Sequence, residues 1–147
     1  KEEIILTLLQ YLQENVARMM KNEPRSGDFK KEFYSLFKRL TRYFKENPYY
    51  VMVVFSEGLL DESAPISEKI IQLMDTLTQH VQSLVEDGQK MQLITGFLTS
   101  EQITQIIIPA FRHQMFKWKI TNFESDIDYK IESLFLSLME LLKVHKK

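Results

Sequence analysis

Apolar residues along the chain recur at steps of three and four, the spacing expected of helices that each bury one face. The first such run extends from Ile5 to Met20, and four further segments repeat the spacing. One short run, YYVMVVF, is rich in β-branched and aromatic residues, which favours a strand. Because no second run of this kind is present to pair with it, we predict a short buried helix there. The pattern predicts an all-α fold, a helical bundle of about six helices.

Capping residues, glycine and proline mark where these helices begin and end. Asp28 follows the break NEPRSGD and can N-cap the second helix. Asn47 before Pro48 is typical of a helix start, because the donor that proline lacks would be unpaired there anyway. Asp87 and Gly88 are predicted to end the longest periodic run.

Two more helices are predicted in the last third of the chain. The sequence TSEQ is a capping box, in which the Thr99 hydroxyl and the Gln102 amide satisfy each other's backbone donors. Pro109 lies inside the helix that follows and is expected to bend it, at a cost of about 3 kcal/mol or more. Ser125 is predicted to cap the last helix.

The first of these two helices carries two apolar stripes. They consist of Ile103, Ile107, Phe111 and Trp118 on one side and of Ile106, Pro109, Phe116 and Ile120 on the other. The last helix is also apolar over more than the usual third of its surface. Since one chain is not expected to bury all of these side chains, we predict a two-fold homodimer in which the last two helices of each chain form a four-helix bundle. The predicted interface residues are Phe111, Met115, Ile131, Leu134, Phe135 and Leu138.

Composition restricts the class of protein. With 147 residues, 44% of them hydrophobic and 27% charged, the chain suits one globular domain over residues 1–147. A net charge of −1 gives the whole chain no electrostatic basis for binding nucleic acid or an anionic membrane. The lack of cysteine excludes disulfides and zinc–thiolate sites and fits a cytoplasmic protein. No apolar run approaches the roughly 18 residues of a membrane span, so we expect no membrane partner.

Catalytic and metal-binding motifs are missing from the sequence. His80, His113 and His145 lack the spacing of metal ligands, and we expect structural roles for them. Glu57, within VVFSEGLL, could orient a polar ligand group or could lie in solvent at a helix end. Because catalysis requires convergent polar groups, we predict no enzyme, no metal site and no cofactor.

A basic stripe on the second helix has two interpretations. Its members are Lys31, Lys38, Arg42 and Lys45. They could attract the phosphates of nucleic acid without reading sequence. We favour the ordinary alternative, the solvated side of an amphipathic helix, because the stripe lies opposite an aromatic one.

Methionine and aromatic residues are abundant on the predicted inner faces. Such side chains usually form plain core, but they also line adaptable cavities between the helices of a bundle. The predicted ligand-binding residues are Phe37, Met52, Phe55, Met74, Leu77, Phe111 and Trp118. Since residues 48–100 contain 2 basic and 7 acidic residues, we expect a hydrophobic small molecule that is neutral or cationic more readily than anionic.

Several stretches resemble the TetR family of transcription regulators. KEEIILTLLQYLQENV is similar to the segment that follows the recognition helix in that family, and ENPYYVMVVFSE and PAFRHQMFKWKITNFESDIDYKIESLFLSLMELL are similar to its C-terminal body. The resemblance covers essentially the whole chain and depends mainly on the order and spacing of helices, with Gly96 and Trp118 as its best single matches. Gly88 and Gly96 lie farther apart than is usual in the family, and Pro109 replaces a typically small residue.

The resemblance implies an effector-binding and dimerisation domain whose N-terminal helix-turn-helix head is missing from this chain. In such regulators a small molecule enters a cavity among the middle helices, the last two helices form the dimer, and operator DNA is bound by the head. Two other hypotheses stay open at this point. One is a self-contained helical binding or scaffold module, and the other is an enzyme of a helical-bundle class.

Overall fold

A computed structural model describes residues 2–23, 25–55 and 63–144. These residues form six α-helices and no strand, which confirms the predicted all-α class. The helices are α1 (Glu2–Lys21), α2 (Phe29–Glu46), α3 (Pro48–Val54), α4 (Ala64–Lys90), α5 (Ser100–Ile120) and α6 (Ile127–Leu141). None of these helices is both long enough and apolar enough to cross a membrane.

The helices pack around one continuous core. α1 lies against α4, and α4 also contacts α2 and α5. α6 packs against α2 and α5, while the short α3 contacts α1, α2 and α5. The largest fully buried side chains come from α1, α2, α4 and α5, among them Leu12, Phe33, Ile70 and Ile107. α4 therefore joins the first half of the bundle to the second.

Two predicted helix caps are confirmed. The Asp28 carboxylate accepts a hydrogen bond from the Lys31 N–H at 3.2 Å. The Thr99 hydroxyl accepts from the Gln102 N–H at 3.1 Å, and the Gln102 side chain accepts from the Thr99 N–H at 2.9 Å. Both caps satisfy backbone donors that a helix start leaves unpaired.

Two predicted helix boundaries are wrong. α6 is capped by Asp126, whose side chain accepts from the Tyr129 N–H at 3.1 Å, and Ser125 precedes the cap. α4 continues through Gly88 to Lys90. A Cβ at Gly88 would lie 2.9 Å from Cδ2 of Phe29. The glycine therefore allows close contact between α4 and the start of α2, and it does not end the helix.

The strand-like run forms a helix, as predicted. Pro48 occupies the first turn of α3, and Val51 and Val54 are buried. Asn47 starts the helix without a side-chain cap. Its amide nitrogen donates to the Tyr43 carbonyl at 2.9 Å, and its side-chain oxygen accepts from the Tyr49 hydroxyl at 3.3 Å. Burial of the valines outweighs the weak helix propensity of β-branched residues.

The two stripes of α5 have different surroundings. Four residues of the first stripe are in the core: Ile103, Ile107, Phe111 and Trp118. On the second stripe, Ile106 is 40% exposed and Ile120 is 60% exposed. α5 continues through Pro109 without interruption from Ser100 to Ile120. The chain thus leaves much of the second stripe in solvent.

Candidate ligand cavity

A small cavity of about 30 Å³ lies where α2, α3, α4 and α5 meet. Its lining residues are Leu36, Phe37, Leu40, Phe44, Val54, Phe55, Leu73, Met74, Leu77, Val81, Ile108, Phe111 and Arg112. Every one of them except Arg112 is apolar. The cavity therefore offers dispersion contacts from all sides and a single charged side chain.

Helical spacing explains the walls from α2 and α4. Phe37, Leu40 and Phe44 follow one another at three and four residues on α2, so they lie on one face. Leu77 and Val81 do the same on α4. The two faces meet because both helices pack against each other in the bundle.

Aromatic rings close the space at two points. The ring centroids of Phe37 and Phe111 lie 5.1 Å apart and join α2 to α5. Those of Phe44 and Phe55 lie 5.8 Å apart, with the rings edge to face. Such ring pairs contribute about 0.5–1.5 kcal/mol each beyond the area they bury. A ligand that separates them must supply at least this much in new contacts.

The cavity is too small for an organic ligand without rearrangement. About 30 Å³ is the space of one or two water molecules. Sites for small organic molecules are roughly ten times larger, about 300–1,000 Å³. Met74 is only partly buried, and its unbranched side chain can change rotamer at low cost. Ligand entry therefore requires movement of side chains such as Met74 or of a whole helix.

Five of the seven predicted ligand-binding residues line the cavity: Phe37, Phe55, Met74, Leu77 and Phe111. Met52 and Trp118 do not line it, and their part in ligand binding stays a prediction. Met52 is 54% exposed, because α3 turns Val51 and Val54 inward instead. Trp118 is buried farther along α5, where its ring packs edge-on against Phe123 with centroids 4.7 Å apart.

Sequence reasoning missed the remaining lining residues. Leu40 and Phe44 share a helical face with Phe37, and Leu73 shares one with Leu77, so the periodicity could have found them. Arg112 had no such signal. A cation is not expected in the wall of an apolar cavity, because desolvation of a charge is costly.

A buried polar cluster lies where the end of α1 meets α2 and α4. The Glu23 side chain, just after α1, is only 1% exposed. Its carboxylate lies 3.6 Å from Nη1 of Arg39 on α2 and 3.9 Å from Nε2 of His80 on α4. Within the described parts of the chain, neither carboxylate oxygen of Glu23 and not the His80 Nε2 has a hydrogen-bond partner. The cluster is thus an under-satisfied junction of three helices.

Burial shifts the pKa of both titratable groups in this cluster. Desolvation raises the pKa of the Glu23 carboxyl, and the Arg39 guanidinium opposes the rise. Desolvation also lowers the pKa of the His80 imidazole, and the Arg25 guanidinium adds to that effect. Both shifts favour the neutral forms, as expected for groups removed from water.

The predicted interface residues lie mostly in the core of the single chain. Five of them are buried, Phe111, Met115, Ile131, Phe135 and Leu138, and Leu134 is partly buried. A single chain therefore already buries five of the six, and these five have little surface left for contact with a second chain. The reason is that α2 covers this side of α6, with the Tyr34 and Phe135 rings 4.9 Å apart. The large apolar side chains exposed on α5 and α6 are instead Ile106, Ile120, Tyr129, Leu136 and Leu141.

The other candidate groups are distributed over the surface. The basic stripe of Lys31, Lys38, Arg42 and Lys45 is exposed, as the solvated-face interpretation expects. His113 is exposed on α5, while Glu57 and His145 lie outside the described residues. No three His, Asp or Glu side chains come together as metal ligands in the part of the chain that the structure describes.

Comparison with models of known families, with curated proteins and with solved structures gives no match. The class that the structure itself defines is an all-α helical bundle with an apolar cavity between its middle helices.

Proposed function

We propose that the chain is the effector-binding and dimerisation body of a TetR-like transcriptional regulator, which contacts operator DNA through an upstream helix-turn-helix head. The observation that carries this proposal is the cavity, which is enclosed by four helices and lined by apolar side chains. An apolar cavity with few polar groups suits a hydrophobic effector. The described residues of its walls supply no nucleophile and no acid–base pair, so binding is a better use of the site than catalysis.

α4 provides a route from the cavity to α1. Leu73 and Leu77 of α4 line the cavity, and the same helix packs against α1. The two helices are also joined by a hydrogen bond from the Gln13 amide to the Thr76 hydroxyl at 2.8 Å. A ligand that displaces α4 side chains changes the surface on which α1 rests, and α1 is the helix nearest the proposed head. A difference of about 1–3 kcal/mol in effector binding between two states would be enough for regulation.

The exposed apolar side chains of α5 and α6 form the proposed dimer surface. Leu136 and Leu141 are 57% and 58% exposed, and they border a shallow groove with Ser137 and Glu140. A two-fold contact between these helices and their copies would bury about 1,200–2,000 Å². It would also hold two heads at a separation that matches operator half-sites about 34 Å apart.

The cavity can be tested with a matched pair of tryptophan substitutions on α4. Met74→Trp places a large ring in the cavity wall, whereas Ile71→Trp adds the same ring at a position that is 54% exposed. We expect hydrophobic compounds to raise the melting temperature of the wild type and of Ile71→Trp but not of Met74→Trp. Equal stabilisation of all three proteins, or of none, would contradict the proposed cavity.

The regulatory role needs the whole protein. With the head present, we expect sequence-selective operator binding that a cavity ligand weakens, measured by fluorescence anisotropy. The 147-residue chain alone is expected to show no such selectivity, because its basic stripe can provide only salt-sensitive attraction. Ligand binding by a monomer with no effect on DNA would favour the self-contained binding module instead.

A further inference from the structure

Among the described residues of the cavity wall, Arg112 is the one that carries a charge, and its surroundings set it apart from the other arginines. It follows Phe111 on α5 and is partly buried. Among the residues that the structure describes, its guanidinium makes no ion pair or hydrogen bond. Its stem lines an apolar space, so its charge has no local compensation there.

Each of the other four arginines in the sequence has a polar partner. Arg25 pairs with Glu32 and Asp87, Arg39 with Glu23, and Arg42 with Glu46, and Arg18 donates to the Asn15 side chain. This includes Arg42, which is 83% exposed and gains little from its ion pair. Arg112 is less exposed and would gain more, because an ion pair is stronger when it is partly shielded from water.

From this geometry we infer that the cavity takes an amphipathic anion, an elongated apolar molecule with one carboxylate, and that Arg112 pairs with the carboxylate. The inference rests on the proposed function, since it names the effector class for the same cavity. The apolar part would replace contacts now made between Phe37, Met74 and Phe111. The planar guanidinium can donate two parallel hydrogen bonds to a carboxylate, which fixes the orientation of the ligand.

The inference reverses the charge preference expected from the sequence. That expectation followed from the low number of basic residues in positions 48–100. The fold brings the apolar part of the Arg112 side chain into the cavity wall from α5, which lies outside that range. None of the acidic residues that the structure describes between positions 63 and 100 is among the lining residues. The charge that the described lining residues bring to the cavity is therefore positive, and a cationic head group close to Arg112 would be repelled.

The test uses three ligands with the same apolar chain and different head groups: decanoate, decanol and decyltrimethylammonium. Binding to the 147-residue chain is measured by isothermal titration calorimetry below the micellar concentrations. The variants are Arg112→Met, which keeps an apolar stem, and Arg42→Met as a control on the exposed face of α2. A charge-assisted pair predicts that the wild type and Arg42→Met bind decanoate about tenfold to a hundredfold more tightly than decanol. Arg112→Met should lose that preference and bind decanol as the wild type does.

The outcomes separate this inference from the proposed cavity. Equal affinity of the wild type for decanoate and decanol, or tighter binding of the ammonium, would overturn the anion preference and leave an apolar cavity in place. A decanoate preference that survives in Arg112→Met would overturn the role of Arg112. If none of the three ligands binds, both the inference and the proposed cavity are refuted. Circular dichroism establishes whether the Arg112→Met variant is folded. If it is not, the comparison of decanoate with decanol in the wild type still tests the ligand class.

Discussion

At the scale of single residues, two buried carboxylates show that burial alone does not decide the stability of a charge. As whole residues, backbone included, Glu23 and Glu32 are each only 6% exposed. The Glu32 carboxylate accepts hydrogen bonds from the Ser26 and Gly27 N–H groups at 2.8 and 3.0 Å. The Glu23 carboxylate accepts none within the described chain, and its nearest cation, Arg39, is 3.6 Å away. Hydrogen bonds therefore offset the free-energy cost of removing the carboxylate from water for Glu32 but not for Glu23.

Substitution of each carboxylate by its amide should therefore have opposite effects. We expect Glu23→Gln to be at least as stable as the wild type at neutral pH, because it removes a poorly satisfied charge. Glu32→Gln should cost about 1 kcal/mol, because neutral hydrogen bonds replace charge-assisted ones. Urea unfolding curves at pH 7.5 measure both.

The raised pKa of Glu23 adds a pH dependence. Wild-type stability falls as pH rises through that raised pKa, so the stability advantage of Glu23→Gln over the wild type should shrink as pH falls toward 4.5. An advantage that is constant with pH would contradict this account.

His80 should make the fold sensitive to mild acid. Its pKa is lowered from 6.5 in the folded chain, so the unfolded chain binds more protons as pH falls through 6.5. Wild-type stability should accordingly decrease below that pH, and His80→Gln should remove this decrease. His113→Gln, at an exposed position, serves as the matched control and should retain it. Melting temperatures measured from pH 7.5 down to the lowest pH at which the protein is folded test the prediction. If the melting temperature changes equally with pH in the wild type and in His80→Gln, the prediction is wrong. Protonation of Glu23 acts in the opposite direction at lower pH, which is why the comparison is made between variants.

At the scale of elements, the contact between α4 and the start of α2 depends on the missing side chain of Gly88. Alanine favours a helix over glycine by about 1 kcal/mol. At Gly88, however, its Cβ would lie 2.9 Å from Cδ2 of Phe29 and 3.3 Å from Cγ1 of Ile94. Phe29 is buried and packs against Phe33 with ring centroids 5.5 Å apart, so its ring has little room to move. Overpacking of this kind costs about 1–3 kcal/mol and is expected to outweigh the helix preference.

Gly88→Ala should therefore destabilise the protein by about 1 kcal/mol, and Gly96→Ala should not. A Cβ at Gly96 has nothing within 4 Å, so alanine there fits without a clash. Chemical denaturation of the two variants gives the comparison. If Gly88→Ala is more stable than the wild type, the prediction is wrong, and the ring of Phe29 can move away from the added Cβ more easily than its burial indicates.

At the scale of the whole molecule, the structure moves the test of the dimer to other residues. Substitution of the buried Leu138 would disrupt the core of one chain and would say nothing about association. Leu136 and Leu141 lie on the exposed side of the same helix, α6. Aspartate at both positions would place up to four carboxylates in a two-fold contact, each costing several kcal/mol if it is desolvated without a partner.

We expect the wild type to sediment as a dimer at micromolar concentration and the Leu136→Asp, Leu141→Asp double variant as a folded monomer. Ile71→Asp, a substitution at an exposed position of α4, should remain dimeric. Sedimentation equilibrium with circular dichroism measures both association and folding. A wild-type chain that is monomeric at tens of micromolar would refute the dimer and leave the exposed stripe of α5 unexplained.

Features that depend on neighbouring residues could be predicted from the sequence alone. Steps of three and four residues predicted the helices, and side-chain oxygens at Asp28 and Thr99 predicted two of their starts, because helical periodicity and capping act within a few residues of chain. The same local rules indicated most of the apolar wall, including Phe37 and Leu77. They could not distinguish Asp126 from Ser125 as the cap of α6, since either side chain can accept the same hydrogen bond.

Which helical faces meet, and what lies between them, depends on the packing of the folded chain. It turned Met52 outward, buried Phe135 beneath α2, and brought Glu23, Arg39 and His80 together from three parts of the chain. It also set Arg112 in a wall that is otherwise apolar. These outcomes depend on contacts between residues far apart in sequence. The periodicity of a helix predicts which of its faces is buried. Which other helix covers that face depends on the packing of the whole bundle.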